Sequence, residues 1–81
     1  MPIPLYGFLE GDTLGLLVLA EETESILQLA QKLQESASLR VPRKEAIQLL
    51  HDGHVIDPTL TVKQSGLRAL DRFDVVWSSG Q

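Results

Sequence analysis

Cysteine is absent from this chain of 81 residues. Its absence excludes disulfide bonds, thiolate metal ligands, iron–sulfur clusters and cysteine nucleophiles. Basic residues are also scarce: seven lysines and arginines stand against eleven aspartates and glutamates, which leaves a net charge of −4. A surface that neutralises phosphates needs the opposite balance, so neither nucleic acid nor a membrane is an expected partner.

Long hydrophobic runs are missing as well. The longest, residues 14–20, has the length of a strand and is far below the roughly 20 residues of a membrane span. The first four residues lack the basic and apolar regions of a signal peptide, so a cytoplasmic location is expected. The length fits one domain over residues 1–81, with residues 78–81 as a frayed tail.

The first third of the chain predicts a β-hairpin followed by a helix. Apolar segments 5–9 and 14–20 flank a polar stretch with Gly11, and Pro2 and Pro4 are expected to delay regular pairing until near Leu5. Apolar side chains then recur with the spacing i, i+3, i+4, i+7, which predicts one amphipathic helix over residues 23–36, capped by Thr23 and with acidic residues in its first turn. The apolar positions of this helix are Ile26, Leu29, Ala30 and Leu33.

The second half of the chain predicts three more strands and a helical turn. Residues 46–51 and 54–56 flank a tight Asp52-Gly53 turn, and residues 60–67 form a helical turn that Gly66 closes. The last strand, 73–77, alternates, with Phe73, Val75 and Trp77 on a buried face. The order ββαββ, helical turn, β predicts an α+β fold of the β-grasp (ubiquitin-like) type, a mixed sheet of four to five strands with one helix packed across one face.

Reactive groups are few. The only cluster that could bind a metal is His51-Asp52-Gly53-His54, and its spacing matches no standard zinc pattern. We interpret it as a hairpin turn between two surface histidines. The serines lack the Gly-x-Ser-x-Gly elbow of hydrolases. No catalytic residue, metal site or cofactor is therefore expected in this chain.

Two features are candidates for a protein interface. Both faces of segment 14–20 are apolar, although a strand in a two-layer fold should alternate. If Leu17 and Leu19 face the helix, the other side chains of this strand face away and form an exposed patch with Tyr6 or Phe8 of the neighbouring strand. A one-residue slip in register would exchange the two sets. The basic cluster in segment 40–44 is either a solvated loop or a second contact. The interface candidates are Leu14, Leu16, Val18, Tyr6, Arg40, Arg43 and Lys44.

Several sequence features, in this order, resemble a known family. They are the prolines that lead to Phe8 and Asp12, the apolar strand 16–19, the helix with Ile26, Ala30 and Lys32, then Arg40-Val41-Pro42-Arg43, Ser65-Gly66-Leu67 and Asp74-Val75-Val76. The chain is similar to the small B (gamma) subunit of toluene and o-xylene monooxygenase hydroxylases. The resemblance implies a ubiquitin-like, non-catalytic accessory subunit of a multicomponent bacterial aromatic-hydrocarbon monooxygenase. It also implies docking on the large hydroxylase subunit, which holds the diiron centre.

The fold alone leaves a second function open, since fold does not determine function. The chain could be a free-standing ubiquitin-like protein-binding module, for example of the secretion-associated kind. A conjugated modifier is not expected, because such proteins end in Gly-Gly and this sequence ends in Ser79-Gly80-Gln81.

Overall fold

The computed structural model describes residues 2–12, 15–37 and 47–77, and within them the predicted order of elements is confirmed. The predicted tail at 78–81 lies outside these residues. The elements are β1 (Pro2–Leu9), β2 (Gly15–Glu21), α1 (Ile26–Ser36), β3 (Ile47–His51), β4 (His54–Val55), α2 (Val62–Ser65) and β5 (Arg72–Trp77).

The strands form one mixed sheet in the order β2-β1-β5-β3-β4. Strands β1 and β5 are parallel at its centre, and the other neighbours are antiparallel. Helix α1 packs across one face of the sheet, and β2 and β4 are the two edges. This is the β-grasp arrangement expected from the sequence.

Pairing in β1 begins at Pro2, so the expectation that it starts near Leu5 is wrong. The Tyr6 N–H donates to the Asp71 carbonyl on the β5 side, at 2.9 Å. Because backbone groups alternate along a strand, the nitrogen atoms of Pro2 and Pro4 also point away from β2. The backbone hydrogen bonds between β1 and β2 are made by the odd-numbered residues of β1, so Pro2 and Pro4 remove none of them.

Helix α1 begins after Ser25, and the prediction of Thr23 as its cap is wrong. The Ser25 hydroxyl accepts the Gln28 N–H at 3.1 Å, and the Gln28 side chain accepts the Ser25 N–H at 2.9 Å. This reciprocal pair satisfies two of the unpaired N–H groups at the helix start and contributes about 1 kcal/mol. The acidic cluster therefore lies before the helix and not in its first turn.

Helix α2 starts with the same kind of capping pair, between Thr61 and Gln64. Gly66 closes it with a φ of 85°, as predicted. The starts of the two helices are joined, because the Ile26 N–H donates to the Leu60 carbonyl at 2.8 Å. The predicted helical turn is thereby fixed against α1.

The core lies between α1 and the sheet. The four predicted apolar positions of α1 are all buried, and Phe73 and Val75 of β5 are buried opposite them. Trp77, predicted on the same buried face, is the last residue of β5 and remains 37% exposed. The core side chains also include Leu5, Leu9, Val18, Ala20, Leu49, Val62 and Leu67.

Candidate protein interface

The side chains of β2 face the opposite way from the sequence expectation. Val18 is buried in the core and Leu16 packs partly against it, whereas Leu17 and Leu19 are 60% and 58% exposed. The register explains the difference: Val18 lies directly opposite the fully buried Leu5 of β1, and paired residues share a face of the sheet. Leu16 and Val18 therefore do not belong to an exposed patch.

An exposed apolar patch is nevertheless present on this strand pair. Tyr6, an interface candidate that is 44% exposed, lies opposite Leu17, and Pro4 lies opposite Leu19. We call Pro4, Tyr6, Leu17 and Leu19 the outer patch. It lies on the face of the sheet that α1 does not cover. The apolar side chains of β2 therefore do form an exposed surface, as expected, but the side chains that form it are Leu17 and Leu19 and not Leu16 and Val18.

A charged rim borders the outer patch toward the centre of the sheet. The Arg72 guanidinium lies 4.1 Å from the centre of the Phe8 ring, and its Nε atom donates to Asp74 Oδ1 at 3.0 Å. The attraction between a guanidinium and an aromatic face holds Arg72 beside the patch. An apolar centre with a polar margin is the usual composition of a protein interface.

The open edge of β2 is partly occupied by side chains. Lys32 Nζ on α1 donates to the Leu19 carbonyl at 2.8 Å and to Glu24 Oε1 at 2.7 Å, and the same Glu24 oxygen accepts the Glu21 N–H at 2.7 Å. These bonds satisfy edge groups that could otherwise pair with a foreign strand. A partner of this region is therefore expected to contact the outer patch and not to extend the sheet.

The Glu24 carboxylate should make stability depend on pH. Burial raises its pKa, but the hydrogen bonds from Lys32 and from the Glu21 N–H, with the Lys32 charge, outweigh it and leave the pKa below its ordinary value of 4.5. Because the pKa of Glu24 is lower in the folded chain than in the unfolded chain, its carboxylate stabilises the fold at pH values above the unfolded-state pKa. This stabilisation is lost as the pH falls through the folded-state pKa. Glu24→Gln keeps an oxygen acceptor and removes the charge. We expect it to lower the free energy of unfolding near neutral pH by about 1 kcal/mol or less.

Urea unfolding of both proteins at neutral pH and well below the ordinary carboxyl pKa tests this effect. The difference between them should vanish in acid. The same substitution at the exposed neighbour Glu22 is the control and should change stability by no more than about 0.5 kcal/mol. An equal difference at both pH values would show that the Glu24 charge does not stabilise the fold.

Four of the candidates lie outside the described residues. They are Leu14, Arg40, Arg43 and Lys44. The possible second contact in segment 40–44 therefore stays a prediction.

The two histidines lie opposite each other across the β3–β4 hairpin. His51 Nε2 is 3.5 Å from Asp71 Oδ2, at an open groove of about 360 Å³ between β3 and β5. Over residues 2–12, 15–37 and 47–77, no three histidine, aspartate or glutamate side chains come together as a metal site.

Ser65 Oγ donates to the Val62 carbonyl at 2.6 Å, which is a bond within α2. Among the described helices, none has the length and apolar character needed to span a membrane.

The chain matches a protein-family model over most of its length. The family model described as "Toluene-4-monooxygenase system protein B (TmoB)" matches residues 2–77. The comparison with curated proteins gives no match.

Solved structures with the same fold come from several kinds of protein. A chain of the toluene 4 monooxygenase HD complex with the inhibitor 4-bromobenzoate superposes with a TM-score of 0.89 and 24% identity, covering 96% of this chain and 100% of that one. Ubiquitin of Caldiarchaeum subterraneum has a TM-score of 0.77 and 15% identity, covering 98% and 96%. The ubiquitin-like domain of Plasmodium falciparum Dsk2 has a TM-score of 0.78 and 19% identity, covering 96% and 100%. At these identities the likenesses establish the fold.

Proposed function

The chain belongs to the toluene-4-monooxygenase system protein B (TmoB) family, and from this membership we infer that it is a non-catalytic accessory subunit of a multicomponent monooxygenase. The family match confirms the resemblance noted in the sequence. Of the two functions that the fold alone left open, the match favours the accessory subunit over the free-standing binding module, because the family model covers residues 2–77.

We propose that the partner is the large hydroxylase subunit of a bacterial diiron enzyme that oxidises aromatic hydrocarbons. The fold neighbour from the toluene 4 monooxygenase complex supports a hydroxylase as partner. In this proposal the large subunit holds the iron. The described part of this chain offers no fitting set of ligands, because His51 and His54 have no cluster of carboxylates beside them. We therefore assign no step of the oxygen chemistry to this chain.

The outer patch is the observation that carries the docking proposal. Leu17 and Leu19 are each more than half exposed on the face of the sheet that the helix leaves uncovered. Large apolar side chains side by side on a small domain are typical of a contact surface. Burying them in a complex removes apolar area from water, which favours association. The neighbouring Arg72–Asp74 pair would lie at the margin, where polar groups keep access to water.

Co-purification tests this function. A tagged copy of the chain, expressed together with the subunits of its hydroxylase, is expected to recover the large subunit in a fixed ratio and to elute with it as one complex. A ubiquitin-like domain of another family, with the same tag, is the matched control and should recover none. If the chain is recovered alone under conditions that preserve the hydroxylase, the proposal is wrong.

A further inference from the structure

An exposed leucine stands in an unfavourable backbone conformation next to the outer patch. Residues 68–71 form a tight turn in which the Asp71 N–H donates to the Arg68 carbonyl at 3.0 Å and the Asp71 side chain accepts the Arg68 N–H at 2.9 Å. Leu70, the third residue of this turn, has a φ of 69°. Glycine is favoured at such a position because it has no Cβ atom to crowd the backbone, and asparagine because its short polar side chain can hydrogen-bond to the nearby backbone.

Within residues 2–12, 15–37 and 47–77, no packing contact explains why this residue is a leucine. Its side chain is 60% exposed and is not part of the core. Its N–H donates to the Pro4 carbonyl at 2.6 Å, a bond that asparagine or glycine would make equally well. The fold therefore requires the turn but not the leucine. Strained residues that the fold does not need are often found at functional sites.

The hydrogen bond to Pro4 fixes Leu70 beside the outer patch, because Pro4 is itself a member of that patch. Each partner in a stable protein complex buries about 800 Å². A large side chain offers at most roughly 150–250 Å², so the half-exposed Tyr6, Leu17 and Leu19 supply only part of that area. The interface must extend beyond them, and Leu70 is an adjoining apolar side chain that can extend it.

We propose that Leu70 is an anchoring residue of the hydroxylase interface, which inserts into an apolar recess of the partner and is retained there despite the strain in its own backbone. The inference rests on the docking function proposed above. It predicts opposite effects of one substitution: relief of strain in the free chain and loss of contact in the complex.

Leu70→Asn is the test, with thermal unfolding of the free chain and binding to the purified hydroxylase as the two measurements. The midpoint of unfolding is expected to rise by about 4–8 °C, the shift that relief of this strain produces in a domain of this size. The dissociation constant is expected to rise at least about 10-fold. Alanine keeps the Cβ atom and lacks the local hydrogen bond of asparagine, so Leu70→Ala should weaken binding by a similar factor and leave the midpoint unchanged.

Leu27→Asn is the matched control, because Leu27 is 42% exposed on α1, away from the outer patch. It should bind the hydroxylase like the unmodified chain. Unchanged binding by both Leu70 variants would overturn the inference while leaving the docking function intact. Weaker binding without a higher midpoint in Leu70→Asn would overturn the role of strain. If the unmodified chain itself fails to bind, the docking function is what has failed.

Discussion

Leu17→Asp is expected to abolish association with the hydroxylase while the free chain stays folded, and Val18→Asp, at the next residue, is expected to unfold it. Leu17 is 60% exposed and Val18 only 5%. In the free chain an aspartate at 17 remains in water. In the complex the same charge loses its water without gaining a partner, which costs about 2–5 kcal/mol, or at least about 30-fold in affinity.

The effect at Val18 has a different origin. Its side chain is surrounded by the core, so an aspartate there must either carry an unpaired charge in an apolar medium or take up a proton. Either cost consumes much of the 5–15 kcal/mol that stabilises a typical domain. Circular dichroism of the free variants and pull-down of the large subunit separate the two outcomes. Leu27→Asp, on the helix, is the matched surface control and should leave both measurements unchanged.

Two results would contradict this picture. If Leu17→Asp binds the hydroxylase normally, the outer patch is not the docking surface. If Leu17→Asp unfolds the free chain, the side chain contributes to the core and the facing of β2 described above is wrong.

Phe73→Ala is expected to lower the free energy of unfolding by about 3–5 kcal/mol, because it leaves a cavity in the centre of the core. Phe73 is the largest of the fully buried side chains. Its ring packs over Gly7 of β1: a Cβ atom at Gly7 would lie 2.8 Å from Phe73 Cζ and 2.9 Å from Leu33 Cδ1. The absence of a side chain at Gly7 is thus what allows the ring and the helix to approach the sheet.

The same contact predicts how Gly7→Ala behaves. In the unmodified chain the new methyl group should cost about 1–3 kcal/mol through overpacking. In a Phe73→Ala background the contact with the ring is gone and Leu33 can shift into the cavity, so the double variant should be more stable than the sum of the single losses predicts. Urea unfolding of the four proteins measures this coupling.

Gly15→Ala is the matched control for the glycine substitution. A Cβ atom there would lie 2.6 Å from the Phe8 ring, but Phe8 is half-buried on the outer face, and its ring can shift together with the exposed Arg72 side chain that lies over it. A loss clearly smaller than that of Gly7→Ala is therefore expected. Additive losses at positions 7 and 73 would show that the two residues do not compete for the same space.

The order of elements and the buried stripe of the helix could be predicted because they depend on local periodicity. Ile26 and Leu33 recur at the spacing of one helix face, and Phe73 and Val75 at the spacing of one strand face. The capping pair of Ser25 and Gln28 also has a sequence signal, a serine followed by glutamine three residues later, and our prediction of Thr23 overlooked it.

The sequence by itself determined the α+β fold, the family and the existence of surplus apolar surface on β2. The tertiary structure alone decided that Leu17 and Leu19, and not Leu16 and Val18, form that surface, because register depends on pairing with another strand and a shift of one residue exchanges the faces. It also placed Leu70 beside Pro4, since a contact between residues so far apart in the chain depends on how β1 and β5 pair.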